Sequence, residues 1–159
     1  VSNSFSKNLS LYGERVGGLS VVCKDEAQAK AVQGQLQFNI RRIYSSPPSH
    51  GGHVVDIVMN DEALFNEWVQ EVYVMRDRIK EMRQKLRDSL EAKLPGRSFE
   101  YITKQNGMFS YTGLTPEQVA RIIKDFGIYM VANGRISVAG LNASNIDYVA
   151  NAMAEVLKD

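Results

Sequence analysis

From Asp61 to Lys93 the chain runs for thirty-odd residues without a glycine or a proline. Across that stretch Leu64, Trp68, Val72, Met75, Ile79, Met82, Leu86 and Leu90 recur at spacings of four or three, an apolar stripe of helical period. At 1.5 Å per residue such a helix is a rod of about 45 Å. A compact domain of 159 residues has a radius of gyration of only ~15 Å. The helix must therefore join two lobes or enter a coiled coil. No sustained heptad accompanies the stripe, which favours the bridge. The stripe is expected to be core. The mixed-sign opposite face, Arg76, Asp77, Lys80, Glu81, Arg83 and Arg87, is expected to be solvated.

Shorter elements flank the rod. Val16 to Cys23 reads as a strand, with β-branched residues and few charges. Asp25 can cap a helix running to about Arg42. Tyr44 to Gly52 holds Pro47 and Pro48 and reads as a loop, entering a helix from about Ser49 to Met59. Beyond Leu94-Pro95-Gly96, strands are expected at 98–102 and 107–112. Thr115-Pro116-Glu117-Gln118 is a helix start, with a threonine cap, proline at the first helical position and glutamine at the third. Asn133-Gly134 predicts a hairpin turn between strands at 128–132 and 135–139. A last helix is expected from about Ser144 to Leu157. The second half thus reads as α+β, a small antiparallel sheet against helices.

Composition excludes several classes. The 44% hydrophobic, 23% charged chain can bury a core and is neither disordered nor collagen-like. A formal charge of +1 offers no electrostatic footprint for nucleic acid or an anionic membrane. No apolar run approaches the ~20 residues that cross a bilayer. A single cysteine, Cys23, forms no internal disulfide, so a reducing cytoplasm is the expected compartment. Cys23 reads as a buried strand residue, and His50 and His53 as structural, without further metal ligands near them in sequence. The chain opens on Val1-Ser2-Asn3-Ser4-Phe5-Ser6-Lys7 with no methionine, which suggests a piece of something longer.

Lys7 stands among Ser4, Ser6 and Asn8, with Arg15 eight residues on and with Phe5, Leu9, Leu11, Tyr12 and Val16 as apolar neighbours. A lysine near a terminus is ordinarily a solvated charge. One desolvated in an apolar pocket can condense with an aldehyde as a Schiff base. Two hydroxyls and a guanidinium are also the parts of a phosphate cradle. The ordinary roles of the remaining candidates are plain: Arg135 a solvated turn residue after Asn-Gly, Arg41 and Arg42 helix C-terminal charges, Phe109 a core strand residue.

The run Ser4-Phe5-Ser6-Lys7-Asn8-Leu9-Ser10-Leu11-Tyr12-Gly13-Glu14-Arg15-Val16-Gly17 resembles the lysine motif of class I pyridoxal-phosphate aminotransferases, in the aspartate and aromatic-amino-acid branch. Three more segments match that branch in the same order: Ile40 to Gly51, Gly107-Met108-Phe109-Ser110, and Asn133 to Leu141. The resemblance covers essentially the whole chain. It implies the α/β fold of pyridoxal-phosphate-dependent transferases, with residues 1–75 the end of the large cofactor-binding domain and 76–159 a C-terminal α+β small domain. The helix of residues 61–93 would connect them. In this family the lysine lies past the middle of a chain of about four hundred residues, so the resemblance implies a C-terminal part.

Roles follow by matched position. Lys7 matches the lysine that holds pyridoxal 5'-phosphate and moves the proton between substrate Cα and cofactor. Ser4, Ser6 and Arg15 match side chains on the cofactor phosphate. Ser45 and Ser46 lie where a neighbouring chain approaches that phosphate. Arg135 matches the arginine that grips the substrate α-carboxylate, and Arg41 the one that reaches from the second subunit of a homodimer to a distal carboxylate. Phe109 matches a lining residue of the side-chain pocket. The implied reaction moves an amino group between an aromatic or dicarboxylic amino acid and 2-oxoglutarate, and the wording around Arg41 leans toward aromatic substrates. The family's acidic partner for the cofactor's ring nitrogen would precede Val1, so the chain alone is expected to be inactive and, with apolar surface unpartnered, to self-associate. The competing expectation is a folded assembly module that keeps the fold without the chemistry.

Overall fold

The computed structural model describes residues 1–158, a mostly helical chain with two small antiparallel sheets. It divides into two compact units, Val1–Val72 and the residues from Tyr73 onward.

The first unit begins with a two-stranded sheet. Strand β1 (Ser2–Ser4) pairs with β2 (Gly17–Leu19) so that Ser4 faces Gly17 and Ser2 faces Leu19. The strand expected over residues 16–23 is thus only three residues long. Cys23 lies outside it, half-buried, its thiol 3.8 Å from the Val21 carbonyl. Helix α1 (Glu26–Tyr44) starts where Asp25 predicts: the Asp25 carboxylate accepts from the Gln28 amide at 2.8 Å, and the Gln28 side chain accepts from the Lys24 amide at 2.7 Å. Helix α2 (His50–Asn60) follows the Pro47-Pro48 loop.

Helix α3 (Glu62–Lys93) is one unbroken rod of 32 residues, and the division between the units falls within it. Its stripe is only partly core. Met82, Leu86 and Leu90 are buried, whereas Leu64 and Met75 are exposed. The opposite face also departs from expectation, because Arg83 is buried at 3% exposure. Ile79, Arg83, Leu86 and Leu90 are spaced four, three and four apart, with Met82 beside Arg83, so helical geometry carries Arg83 inward with its neighbours.

In the second unit α3 packs with helices α4 (Glu100–Lys104), α5 (Pro116–Phe126) and α6 (Ile146–Leu157). Their core joins Phe99, Ile102, Leu114, Val119, Ile122, Val138, Ile146, Met153 and Val156. Thr115 and Gln118 form the reciprocal capping box of α5, and Gly127 closes that helix in the left-handed conformation. Residues 98–102 are helical at their end rather than a strand. Phe99 and Ile102 are each 1% exposed. Burying that pair requires i, i+3 spacing; a strand would have put them on opposite faces.

The second sheet pairs β3 (Phe109–Tyr111) with β4 (Arg135–Ser137), Phe109 opposite Ser137 and Tyr111 opposite Arg135. The hairpin of 128–132 with 135–139 does not form. The Asn-Gly turn is present, closed by the Gly134 amide on the Val131 carbonyl at 2.8 Å. Only Gly134 takes a positive φ, whereas the tight two-residue hairpin turn needs both central residues there. Ladder partners come instead from β3: the Thr112 amide and hydroxyl both donate to the Gly134 carbonyl, and the Val138 amide donates to Met108. A 3-10 turn, Val138–Gly140, follows β4.

Candidate active site

The lysine sits on a hairpin loop. Residues 5–16 are pinched off by the β1–β2 ladder and by the Phe5 amide donating to the Val16 carbonyl at 3.2 Å. Within the loop the Leu9 and Leu11 amides donate to the Phe5 carbonyl, and the Ser10 amide to that of Lys7. Three neighbours fix its position. The Trp68 indole donates to the Asn8 carbonyl at 2.7 Å. Gly51 of α2 lies so close that an added Cβ would fall 2.7 Å from Glu14 Cβ. A Cβ on Gly17 would fall 2.3 Å from the Asn3 carbonyl oxygen, so only glycine allows that ladder.

Four of the candidate residues come together on this loop. Ser6 is buried; its amide donates to the Ser4 hydroxyl at 3.2 Å, and the Ser4 hydroxyl donates to Ser6 Oγ at 3.0 Å. Lys7 is exposed, its ammonium 5.4 Å from the centre of the Tyr12 ring. The apolar neighbours leave it exposed, with the ammonium over an aromatic face. Arg15 is exposed, with one guanidinium nitrogen donating to the Tyr12 carbonyl at 3.3 Å. The non-glycine residues with left-handed φ are Ser10 at 55°, Arg15 at 53° and Ser45 at 62° among those described. Two of these three are candidate site residues, and backbone held in so costly a conformation is held by the surrounding structure.

A phosphorylated aldehyde needs an amine for its carbonyl carbon and several O–H and N–H donors for a dianion. Ser6, Lys7 and Arg15 on this loop, with Ser4 at the end of β1, are residue types that fit such a group. Ser45 and Ser46 lie elsewhere in the first unit, exposed at the end of α1, with Arg41 exposed in its last turn. Among the described residues no group of three or more His, Cys, Asp or Glu is placed to hold a metal ion. His50 and His53 are exposed.

Arg135 and Phe109 meet in the second unit. They lie on the paired strands β4 and β3, and the Arg135 guanidinium carbon stands 4.9 Å from the centre of the Phe109 ring. Phe109 is 41% exposed rather than core. The two border a groove with Ile128, Tyr129, Met130 and Val131, the segment that did not become a strand. A guanidinium lying over a ring keeps its N–H edge free for a carboxylate.

Sequence reading missed the arginines of α3 that grip this sheet. Arg83 donates to the carbonyls of Ile102, Gly107 and Phe109 at 2.7, 2.9 and 2.7 Å and to the Ser110 hydroxyl at 3.1 Å. Burial pushes its pKa below the ordinary arginine value. Arg78 donates to the carbonyls of Ala139 and Leu141, just beyond β4. The signal for Arg83 was its place inside the apolar stripe.

Residues 1–153 match the family model described as aminotransferase class I and II. The aromatic-amino-acid aminotransferase of Escherichia coli K12 is 55% identical over 157 residues, 99% of this chain and 40% of that protein. Among solved structures, a psychrophilic aromatic amino acids aminotransferase from Psychrobacter sp. B6, cocrystallised with aspartic acid, is 72% identical with a TM-score of 0.95, covering 100% of this chain and 40% of the other. An aromatic-amino-acid aminotransferase from Burkholderia pseudomallei, covalently bound to pyridoxal phosphate, is 52% identical with a TM-score of 0.92 over 99% of this chain and 39% of its own. The chain spans about 40% of the length of the relatives it matches. By that match and by the lysine loop it displays, the chain belongs to the class I and II aminotransferase family.

Proposed function

We propose that the protein containing this chain is a pyridoxal-phosphate-dependent aminotransferase moving an amino group between an aromatic or dicarboxylic amino acid and 2-oxoglutarate. The observation that supports it is the loop carrying Ser6, Lys7 and Arg15, closed by the strand that ends at Ser4, on which Lys7 and Arg15 both contact Tyr12. Residues 1–75 are read as the end of the cofactor-binding domain and 76–159 as the small domain.

Lys7 holds the cofactor through its amine, and Ser4, Ser6 and Arg15 take the phosphate. When bound, the cofactor supplies a carbonyl carbon and a ring that accepts the electron pair left at the substrate's Cα. The Lys7 amine would be the base that takes the Cα proton and moves it between Cα and the carbon that had been the cofactor's carbonyl, across the intervening nitrogen. Arg135 forks onto the α-carboxylate, which fixes the direction of the Cα–H bond. Phe109 lines the side-chain pocket beneath it. Arg41, with Ser45 and Ser46, acts on the second subunit of a homodimer: the arginine on a distal carboxylate, the serines near the phosphate. No helix among the described residues is long and apolar enough to cross a membrane, and the reading places the enzyme in the cytoplasm.

Reduction with borohydride in the presence of pyridoxal phosphate tests the reading. Mass spectrometry is expected to find the label on Lys7, and Lys7→Ala to abolish it. Labels scattered over the surface lysines would sink the assignment and favour a folded module without chemistry. The 159-residue chain alone is expected to show no measurable transamination, because the ring's acidic partner is supplied elsewhere in the family.

A further inference from the structure

The guanidinium of Arg83 makes four hydrogen bonds in the second unit. Its four hydrogen bonds all end on the turn and strand that carry Phe109 or on the helix before them. Two of them, to the Gly107 and Phe109 carbonyls, clamp the entry to β3 on both sides of Met108. The side chain is 3% exposed and its Nε finds no partner. The other strand is held independently, since Arg78 grips the carbonyls of Ala139 and Leu141 after β4. Removing Arg83 would withdraw the clamp on residues 107–110 and leave the ladder to β4, with Phe109 opposite Ser137 and Tyr111 opposite Arg135, to hold Phe109 near Arg135. What changes is the 4.9 Å stack between them.

We propose that Arg83 is a positioning residue for substrate recognition: by clamping the main chain of residues 107–110 it holds the Phe109 ring against Arg135 and so aims the guanidinium fork at the substrate carboxylate. This rests on the reading of Arg135 as the carboxylate-binding residue. It assigns to a buried arginine on α3 part of the affinity that the exposed pair expresses.

The test uses the full-length protein with its cofactor. Arg83→Met and Phe109→Leu are each expected to raise KM for the amino donor about tenfold, with kcat changed less than about threefold, the pattern of lost binding rather than lost chemistry. The double variant is expected to be no worse than either single one, because both remove the same stack. Arg83→Lys, which keeps the charge and three donors, is expected to recover part of the loss. If Arg83→Met does not fold, Ser110→Ala removes one bond of the four and is expected to raise KM severalfold. A folded Arg83→Met protein with wild-type KM, or a double variant whose losses multiply to about a hundredfold, overturns the proposal. A second readout does not depend on turnover. In arginine-labelled wild-type protein, acetate is expected to shift the Arg135 Nε–H resonance, and Arg83→Met to weaken that titration. If wild-type protein neither transaminates nor shows the shift, the underlying reading fails; if it shows the shift and Arg83→Met matches it, the inference alone fails.

Discussion

Glycine 17 shows how much one side chain decides. It faces Ser4 across the ladder that closes the lysine loop, and its missing Cβ leaves room for the Asn3 carbonyl oxygen. Gly17→Ala forces that backbone apart, an overpacking cost of roughly 1–3 kcal/mol. Gly18→Ala, next in sequence, meets nothing within 4 Å and serves as the control. Hydrogen exchange of the β1–β2 amides is expected to speed up in the first variant and hold in the second. Unchanged protection in Gly17→Ala would show that the ladder does not set the loop. The same scale explains which candidate residues the sequence brings together directly. Ser4, Ser6, Lys7 and Arg15 are close in sequence, and one hairpin keeps them close in space. Arg83 could not be read so, since charge predicts solvent and only packing overrides it.

At the scale of elements, junctions carry the information. The end of α3 is tied to the start of α4 through Glu91, whose carboxylate accepts from the Phe99 amide and from Arg87, both at 3.0 Å. The Phe99 amide first, and the Arg87 side chain second, hold its pKa below the usual carboxylate range. A depressed carboxylate contributes stability above its unfolded pKa of roughly 4.3, and that contribution is lost as pH falls through the lower folded value. The urea midpoint is thus expected to drop below about pH 4, and Glu91→Gln to flatten that part of the profile. An identical acid limb in Glu91→Gln would assign it to other groups. Helices announced by caps and uninterrupted stripes, α1, α3 and α5, start and stop close to where local chemistry predicts. The short segments at 98–102 and 128–132 misled, because five residues hold too little periodicity to choose between strand, helix and groove wall.

Over the whole molecule, apolar side chains are unevenly covered. Helix α1 has no buried residue, and Phe38, Ile43, Tyr44, Leu64, Phe65 and Met75 are all exposed among the described residues. So much apolar surface favours association. Sedimentation velocity on the 159-residue chain is expected to show concentration-dependent oligomers, and a single monomeric boundary across the range would refute this. The sequence by itself determined the family, the lysine loop with its neighbouring serines and arginine, and the long helix, because each is written in adjacent residues or in a regular period. Tertiary structure alone decided that β4 pairs with β3, that Phe109 lies exposed beneath Arg135, and that Arg83 is buried behind them. Those outcomes turn on which of several chemically competent partners reaches a group first in three dimensions, and a linear spacing does not encode that competition.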